Sequence, residues 1–370
     1  MKNIQDKFFQ LLRLSLVPSS EFPDIQGTEW KSIYELAKKQ SLLGIVFDGI
    51  EKMGKGAKID EDLLMEWMGK RKLIERRNQQ LNEAVVKVSE YFRKKGFDSC
   101  ILKGQGNALM YPNPLHRNPG DIDIWVSGNP ADVIRFVHSI APDEKASYHH
   151  IDFPAYKKIP VEVHYRPCYL HHFVHNARLQ KFFCSAASEQ FGHIVDTENG
   201  KFAVPTTSFN VVYQLVHIYN HLFQEGIGLR QILDYYFVIN DFWKVKVGGA
   251  SNSTSGCLSV GALRVELKHL GLWKFARAMM YVLHEVLGLS EDRMIVPMDE
   301  NRGKFLLEEI LASGNFGKYD ERYGFSHGAI GHNIQRLFRD LRLVRYYPAE
   351  ALGEPIFRTW HFFWRLLAFK

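Results

Sequence analysis

The stretch ILKGQGNALMYPNPLHRNPGDIDIWV, residues 101–126, contains the features that decide the fold. Its last seven residues form an apolar, strand-like run that includes two aspartates, Asp121 and Asp123. Aspartate is depleted in strands, and a buried carboxylate is costly unless a cation or a proton neutralises it. Because strand side chains alternate, both carboxylates point to one face and Ile122 and Ile124 to the other. The run therefore predicts a strand with an acidic face.

A second strand-like run, IPVEVHY at residues 159–165, repeats this alternation. Glu162 and His164 face one way, and the valines face the other. If the two strands are neighbours, three carboxylates converge, and two charges about 5 Å apart repel by about 3 kcal/mol at an effective dielectric constant of about 20. An oxygen cluster of this charge suits Mg²⁺, and a pair of such ions can clamp the oxygens of an in-line phosphoryl displacement.

The strand that precedes the acidic run ends in a glycine turn. Gly104 permits a tight turn, and the helical turn after it presents backbone N–H groups that suit an anion. Lys103 stands beside the turn as a point charge for phosphate oxygens, and Arg117 adds a second cation. These residues predict a phosphate-binding turn next to the acids.

Helical and strand-like patterns divide the chain into four parts. Residues 1–95 form an N-terminal helical segment, and residues 96–204 form an α/β core of short strands and helices. A helical domain follows over 205–300, and basic, aromatic helices form 301–370. The stretch 248–256, GGASNSTSG, is predicted to be a flexible surface loop. The fold class is therefore α+β, with a small mixed sheet flanked by N-terminal and C-terminal helical segments.

The amino-acid composition says less about function than these sequence patterns do. The N-terminal stretch MKNIQDKFFQLLRLSLVPSS is predicted to be an amphipathic helix rather than a signal peptide, since charged residues interrupt its apolar positions. No apolar run is long enough to span a membrane. The four cysteines have no C-x-x-C spacing, which favours a cytoplasmic location. A net charge of +6 fits an ordinary surface or an anionic partner.

Several histidines are candidates for metal or substrate contacts. His217 and His221 stand four residues apart on a predicted helix, which suits zinc, although no third ligand is evident. They could equally form a polar wall of a catalytic cleft. His164 is a candidate to orient an acid or an acceptor hydroxyl, since it shares a face with Glu162. Ordinary surface positions are predicted for His149, His150, His171, His172 and His175.

Two further features have two interpretations each. Arg230 and Asp234 form either a helix salt bridge or a pair in which the arginine projects toward nucleotide or acceptor. The segment NIQRLFRDLRLVRYYP, residues 333–348, combines an apolar stripe with arginines on another face. It indicates either a helix that docks on the protein or a basic surface for a protein, nucleic-acid or membrane contact.

The order of these motifs resembles the polymerase-beta-type nucleotidyltransferase core, which has a glycine turn, a D-x-D strand and a later acidic strand. The segments LKGQGNALMYPNPLHRNPGDIDIWV, VEVHYRP and LRQILDYYFV are more closely similar to the bacterial uncharacterised nucleotidyltransferase family. That family reads Leu-Lys-Gly, then Arg, then Gly-Asp-Ile-Asp, then an acidic-x-His strand and an Arg…Asp helix. The similarity extends over most of residues 1–290.

This resemblance implies roles for two groups of residues, and the side-chain patterns indicate a third group. The catalytic, metal-binding acids would be Asp121, Asp123 and Glu162. The nucleotide-binding residues around the turn would be Lys103, Gly104, Gln105 and Arg117. The acceptor-side residues would be His164, His217, His221 and Arg230. The wider superfamily has Gly-Ser or Gly-Gly at the turn, so Lys103 or Gln105 would replace a missing hydroxyl contact to phosphate.

The resemblance implies a nucleotidyltransferase that moves a nucleoside monophosphate from a triphosphate such as ATP to an acceptor hydroxyl and releases pyrophosphate. It would use two Mg²⁺ ions, with Mn²⁺ as the alternative. The acceptor stays open among a small molecule, a protein side chain and a nucleic-acid end. The rival interpretation is a catalytically inactive nucleotidyltransferase-like module that binds nucleotide or a partner. Hydrolysis by a carboxylate acid/base pair is less favoured, because it needs one acid protonated.

Overall fold

The computed structural model describes residues 2–16, 27–154, 156, 159–247, 258–322 and 329–368, and the predicted loop over 248–256 lies outside these ranges. The α-helices are α1 (Lys2–Leu16), α2 (Trp30–Lys39), α3 (Leu43–Met53), α4 (Glu61–Lys94), α5 (Gln105–Ala108), α6 (Pro130–His138), α7 (Phe173–Gly192), α8 (Thr207–Gln224), α9 (Leu229–Val247), α10 (Val260–His269), α11 (Trp273–Leu287), α12 (Glu300–Ser313), α13 (Ala329–Leu343) and α14 (Pro348–Ala368). The strands are β1 (Ser99–Ile101), β2 (Ile122–Val126), β3 (His150–Asp152), β4 (Val161–His164), β5 (Ile194–Thr197) and β6 (Gly200–Ala203). The predicted α+β class, a small mixed sheet between helical segments, is confirmed.

Four of the strands form a mixed sheet in the order β1-β2-β4-β3. The outer pairs β1–β2 and β3–β4 are antiparallel, and the central pair β2–β4 is parallel. The central pairing sets Asp123 beside Glu162 and Trp125 beside His164. Partners in register on neighbouring strands point to the same face. The acidic faces predicted for the two strands are therefore one face of one sheet.

Helices cover both faces of β2, so all five of its residues are buried. Ile122 and Ile124 pack in a core that includes apolar residues of α4 and α6. On the other face, Trp125 joins the larger helical core, and its ring stacks on Phe209 of α8 with centroids 5.8 Å apart. Asp123 is only 1% exposed. This aspartate is therefore a polar exception in a strand that apolar side chains surround.

Helix α4 holds in place the loop that leads from the glycine turn to β2. The helix begins after Asp60, whose side chain accepts hydrogen bonds from backbone N–H groups of the first turn. Near its middle, the buried Asn78 donates Nδ2 to the carbonyl oxygens of Leu115 and Arg117, both at 2.7 Å. These bonds satisfy two backbone groups that would otherwise be costly to bury.

The structure confirms the predicted N-terminal helix and contains further elements that the sequence patterns did not indicate. The predicted amphipathic N-terminal helix is α1, with Phe8, Leu11 and Leu12 fully buried. Neither α7 nor the β5–β6 hairpin was predicted. Every residue of β5 is exposed or half-buried, so this strand lacks a strong apolar signal. Within the described residues, no helix combines the length and the apolar character that a bilayer crossing demands.

Candidate active site

The three predicted acids line one cavity of about 440 Å³ beside the sheet. Asp121 precedes β2, and Asp123 lies within that strand. Glu162 comes from β4, and 28% of its side chain is exposed. The parallel pairing of the two strands thus brings together acids that are far apart in sequence.

Two cationic side chains lie between the carboxylates. The Nζ atom of Lys103 is 3.1 Å from Oδ1 of Asp123 and 4.0 Å from Oδ1 of Asp121. The Nε2 atom of His164 is 3.1 Å from the same Asp123 oxygen and 3.4 Å from Oε2 of Glu162. Buried carboxylates would repel one another strongly without counter-charges. The chain therefore supplies its own cations to the acidic face.

These contacts change the pKa values of the cluster. Burial would raise the pKa of Asp123, but Lys103 and His164 outweigh it and hold that pKa below its usual value. Burial opposes ionisation of Glu162 as well, yet the hydrogen bond from His164 and the charge of His150 lower its pKa to about 2. Burial would lower the pKa of His164, but its bonds to both carboxylates raise it to about 9. At neutral pH both acids are ionised, and His164 is a cation.

Gly104 forms the turn between β1 and α5. Its φ of +63° lies in the left-handed region, and a Cβ at this position would lie 3.4 Å from the backbone oxygen of Asp121. The side chain of Gln105, next in sequence, turns away from the acids, because its Nε2 donates to Oδ1 of Asn82 on α4 at 2.5 Å. Gln105 lines neither the acid cavity nor the crevice beside the turn.

That crevice lies next to the acid cavity and shares Lys103, Asp121 and His217 with it. Its further lining residues are Gly104, Arg117, Gly120, Gln214, Arg230, Gln231 and Asp234. The crevice thus has two arginines and a lysine beside the glycine turn, together with two aspartates. Arg117, which was predicted to bind the nucleotide, and Arg230, which was predicted on the acceptor side, therefore both line the crevice.

The two arginines have different partners. Arg117 is 3% exposed and forms two parallel hydrogen bonds to Asp234, from Nε to Oδ1 at 2.8 Å and from Nη2 to Oδ2 at 2.7 Å. Arg230 donates Nη1 to the carbonyl oxygen of Asn118 at 3.4 Å, and its guanidinium lies over the ring of Phe316. The salt bridge considered between Arg230 and Asp234 is not formed, because Asp234 pairs with Arg117 instead. The planar guanidinium group of Arg117 donates two parallel hydrogen bonds that match the two oxygens of the carboxylate.

Two histidines near β3 also line the acid cavity. His150 Nδ1 is 3.0 Å from His149 Nε2 and 3.7 Å from Oε2 of Glu162. The expectation that His149 and His150 occupy ordinary surface positions is wrong, because β3 pairs with β4 and sets His150 opposite His164. It is also wrong for His171, which is 2% exposed and bonded to a glutamate of α14.

His217 and His221 stand one turn apart on α8, with ring centroids separated by 4.4 Å. Both line the acid cavity. Burial, together with the charge of Lys103, lowers the pKa of His217 well below its usual value, so this side chain is neutral at pH 7. Among the described residues, no group of three side chains with metal-ligand spacing includes either histidine. Their position therefore favours a polar wall over a zinc site.

The acid cavity is also lined by residues that the sequence patterns did not indicate. They are Cys168, Asn220, Gln224, Glu225, Phe316 and Lys318. Phe316 follows α12 and has a φ of +54°, which is uncommon for a residue other than glycine. Its ring centroid lies 5.2 Å from that of His221. No local pattern indicates this contact, whereas the alternation His-Ile-Asp in β3 could have indicated His150.

The donor atoms fit a divalent cation. Asp123, Glu162 and His164 offer one ligand atom each, and these atoms lie within 4.8 Å of one another. Among the described residues, the buried Oδ2 of Asp123 has no hydrogen-bond partner. Carboxylate oxygens suit Mg²⁺ and Mn²⁺. Because Lys103 contacts Oδ1 of the same carboxylate, an arriving cation competes with this ammonium group.

This chain was compared with protein families, curated proteins and solved structures. The family model for "Uncharacterised nucleotidyltransferase" matches residues 26–288. No curated protein matches the chain. Among solved structures, an antigenic nucleotidyltransferase-like protein from Paracoccidioides brasiliensis is similar at 10% identity and a TM-score of 0.33, over 60% of this chain and 96% of that one. The family match spans more than half of the chain and confirms the resemblance inferred from its motifs, so this chain belongs to the uncharacterised nucleotidyltransferase family.

Proposed function

We propose that this protein is a divalent-metal-dependent enzyme that transfers a nucleoside monophosphate from a triphosphate to an acceptor hydroxyl. The observation that carries the proposal is the in-register pairing of Asp123 with Glu162 on parallel strands, with Asp121 on the same cavity wall. Membership of a nucleotidyltransferase family supports the reaction class. The three acids are its proposed catalytic and metal-binding residues.

The nucleotide is proposed to lie with its phosphates along the Gly104 turn. Lys103 stands beside this turn, and Arg117 and Arg230 line the crevice next to it. Positive side chains in a partly buried cleft favour phosphate oxygens. Gln105 is a weaker candidate than the other predicted nucleotide-binding residues, because its side chain bonds to α4. ATP is the first donor to test.

The acceptor is proposed to occupy the acid cavity. Its wall includes His164, His217 and His221, and its volume of about 440 Å³ is in the range of small-molecule sites. Imidazole and amide groups can orient a hydroxyl by hydrogen bonds. These observations favour a small polar molecule over a protein side chain or a nucleic-acid end.

In the proposed reaction, the acceptor oxygen forms a bond to the α-phosphorus. The bond between this phosphorus and the bridging oxygen breaks, pyrophosphate leaves, and the hydroxyl proton passes to solvent. Bound Mg²⁺, as two ions, or Mn²⁺ in their place, would neutralise the reacting oxygens. The protein side chains hold the reactants in position and stabilise developing charge.

The test compares the wild type with the Asp121→Asn/Asp123→Asn double variant. Each protein is incubated with a labelled triphosphate, Mg²⁺ and a metabolite extract that supplies acceptors, and pyrophosphate is measured. We expect release by the wild type and by Asp132→Asn, whose side chain on α6 is 59% exposed, and none by the double variant. Equal release by all three would rule the proposal out.

Two further measurements refine this test. Mass spectrometry of ligands that co-purify with the double variant can name donor and acceptor together. Nucleotide binding in calorimetry without turnover on any acceptor would instead favour the inactive binding module.

A second contact and a location are also proposed. The C-terminal helices α13 and α14 expose apolar side chains, which supports contact with a protein, a nucleic acid or a membrane. The exposed residues are Leu337, Phe338, Leu341, Leu352, Ile356, Trp360, Phe362, Phe363 and Leu366. Nucleic-acid binding that weakens steeply with salt would support the second of these partners. The proposed location is the cytoplasm, since Cys100, Cys168 and Cys184 are free thiols.

A further inference from the structure

We infer that the metal site of this protein is a mixed nitrogen–oxygen site, in which His164 is a direct ligand beside Asp123 and Glu162. Such a site selects a first-row transition ion such as Mn²⁺ over Mg²⁺. The inference deepens the proposed function, on which its catalytic meaning rests, but its test measures metal coordination and needs no turnover. It adds an imidazole to a set of ligands otherwise made of carboxylates, and metal binding releases to solvent the proton that Nε2 of His164 carries in the metal-free protein.

The sheet places this imidazole over the two carboxylates. Glu162 and His164 are two residues apart on β4, so both point to the face that carries Asp123 of the neighbouring strand. Strand positions are rigid supports for ligands, and His164 is 3% exposed. Its ring therefore has little room to turn away from the acids.

The distances between donor atoms match those around a bound ion. Ligands at right angles around an octahedral ion, with bonds of about 2.1 Å, lie about 3 Å apart. Nε2 of His164 lies 3.1 Å from Oδ1 of Asp123 and 3.4 Å from Oε2 of Glu162. The imidazole nitrogen is therefore already spaced from each carboxylate as neighbouring ligands of one ion are, and all three donor atoms lie within 4.8 Å of one another.

A second observation points to a ligand at the same place. Within the described part of the chain, Oδ2 of Asp123 is buried and lacks a hydrogen-bond partner. Unpaired buried polar atoms are rare, and at such positions they indicate a missing ion or a functional role. Further imidazoles stand close by, since the ring nitrogens of His149, His150 and His164 form another group within 4.8 Å.

Ligand chemistry then separates the two candidate ions. Mg²⁺ prefers oxygen ligands and keeps much of its water, whereas imidazole suits first-row transition ions. One nitrogen among the protein ligands therefore shifts the preference from Mg²⁺ toward a first-row transition ion, and Mn²⁺ is the one of these ions that also suits the two carboxylates. The competing interpretation is that His164 only donates a hydrogen bond to the carboxylates and leaves the ion to oxygen atoms alone.

The direct test is pulsed electron paramagnetic resonance of the full-length wild-type protein loaded with Mn²⁺. We expect electron spin-echo modulation from a directly bound nitrogen, which changes when the histidines are labelled with ¹⁵N. A spectrum of bound Mn²⁺ without nitrogen coupling would overturn the inference. This measurement requires no variant, so a folding defect cannot mask its outcome.

A variant tests the assignment to His164. His164→Gln replaces the imidazole with an amide that can offer oxygen, and calorimetry compares its metal affinities with those of His269→Gln, an exposed control on α10. We expect Mn²⁺ affinity to fall about tenfold or more and Mg²⁺ affinity to change less than about threefold. An equal loss for both ions would count against the inference, as would nitrogen coupling that persists in His164→Gln.

The two proposals fail in different ways. Acid-dependent pyrophosphate release by a protein whose Mn²⁺ shows no bound nitrogen would keep the proposed function and reject the nitrogen ligand. Nitrogen coupling without pyrophosphate release would keep the mixed site and reject the transfer reaction.

Discussion

The ammonium group of Lys103 lies 3.1 Å from Oδ1 of Asp123, at the oxygen that also contacts His164. One buried carboxylate oxygen thus lies between two protein cations. This arrangement keeps the acidic face of the sheet stable before any metal or nucleotide arrives. A divalent ion that binds Oδ1 of Asp123 would compete with this lysine, which stands beside the Gly104 turn, where the phosphates are proposed to lie.

Replacing Lys103 with methionine should make the fold depend on divalent metal. Among the residues that the structure describes, Asp123 then keeps only His164 as a contacting counter-charge, so we expect the free energy of unfolding without metal to fall by about 3 kcal/mol. Added Mn²⁺ should raise the melting temperature of this variant more than that of the wild type, because metal binding stabilises the native state. Thermal unfolding with and without Mn²⁺ measures both effects. Lys87→Met, at an exposed position on α4, is the control, and equal Mn²⁺ shifts in all three proteins would contradict the prediction.

The buried pair of Arg117 and Asp234 should contribute strongly to stability. Asp234→Asn leaves a guanidinium group that is 3% exposed without its carboxylate, and we expect a loss of about 3–5 kcal/mol in urea unfolding. The matched control is Asp132→Asn, which breaks an exposed pair with Arg135 and should cost less than about 0.5 kcal/mol. A similar loss for both substitutions would show that burial does not set the strength of the Arg117 pair.

The segment that carries Phe316 and Lys318 should be needed for transfer. Gly317 has a φ of +66°, and a Cβ there would collide with the backbone oxygen of Glu225. We expect Gly317→Ala to displace this wall of the cavity and to lower the transfer rate roughly tenfold to hundredfold.

The control for this substitution is Gly192→Ala, at the end of α7, where an added Cβ meets open space. Its transfer rate and melting temperature should match the wild type. If Gly317→Ala retains full activity while its melting temperature falls, the segment stabilises the fold and takes no part in transfer.

A buried acid pair should make stability depend on pH. Asp340 of α13 faces Glu354 of α14, and burial together with the charge of Glu354 raises the pKa of Asp340 to about 8, although Arg358 and Arg339 oppose the shift. An aspartate in the unfolded chain has a pKa of about 3.9, so the folded state holds the proton more tightly. The stabilisation is complete below about pH 4 and is lost as the pH rises toward about 8.

Asp340→Asn keeps this position uncharged at every pH. Its melting temperature, relative to that of the wild type, should therefore be higher at about pH 8.5 than at about pH 5.5. Thermal unfolding over this range provides the measurement. Parallel curves for the two proteins would show that Asp340 does not titrate in this range.

The acidic face of the sheet could be predicted from local sequence patterns, because the alternation of side chains between the two faces is a property of a single strand. The spacing of Asp121 and Asp123, and of Glu162 and His164, predicted which side chains point the same way. The left-handed φ of Gly104 could be expected as well, since glycine adopts it without steric cost. These features depend on the chain within a few residues of each position.

Contacts between distant segments were beyond such reasoning. The sequence suggested a salt bridge between Arg230 and Asp234, which are four residues apart on one helix. In the structure, Asp234 pairs instead with Arg117, which is distant in sequence. His150 came to the site because β3 pairs with β4, and Phe316 because the segment after α12 packs on α8. Each of these contacts depends on how whole helices and strands pack against one another, and the periodicity of a single segment gives no information about this packing.

The sequence alone predicted the two acid-bearing strands, which acids share a face of each strand and the glycine at the turn, because short-range sterics and side-chain alternation control these features. The tertiary structure was needed to show that β2 and β4 are parallel neighbours, that Lys103 and His164 supply the counter-charges, and that Phe316 lines the cavity. Strand order and ion pairing depend on the burial of apolar faces that belong to the whole chain. For this reason the orientation of each acid could be predicted from its own strand, whereas the site that the acids form could be recognised only from the tertiary structure.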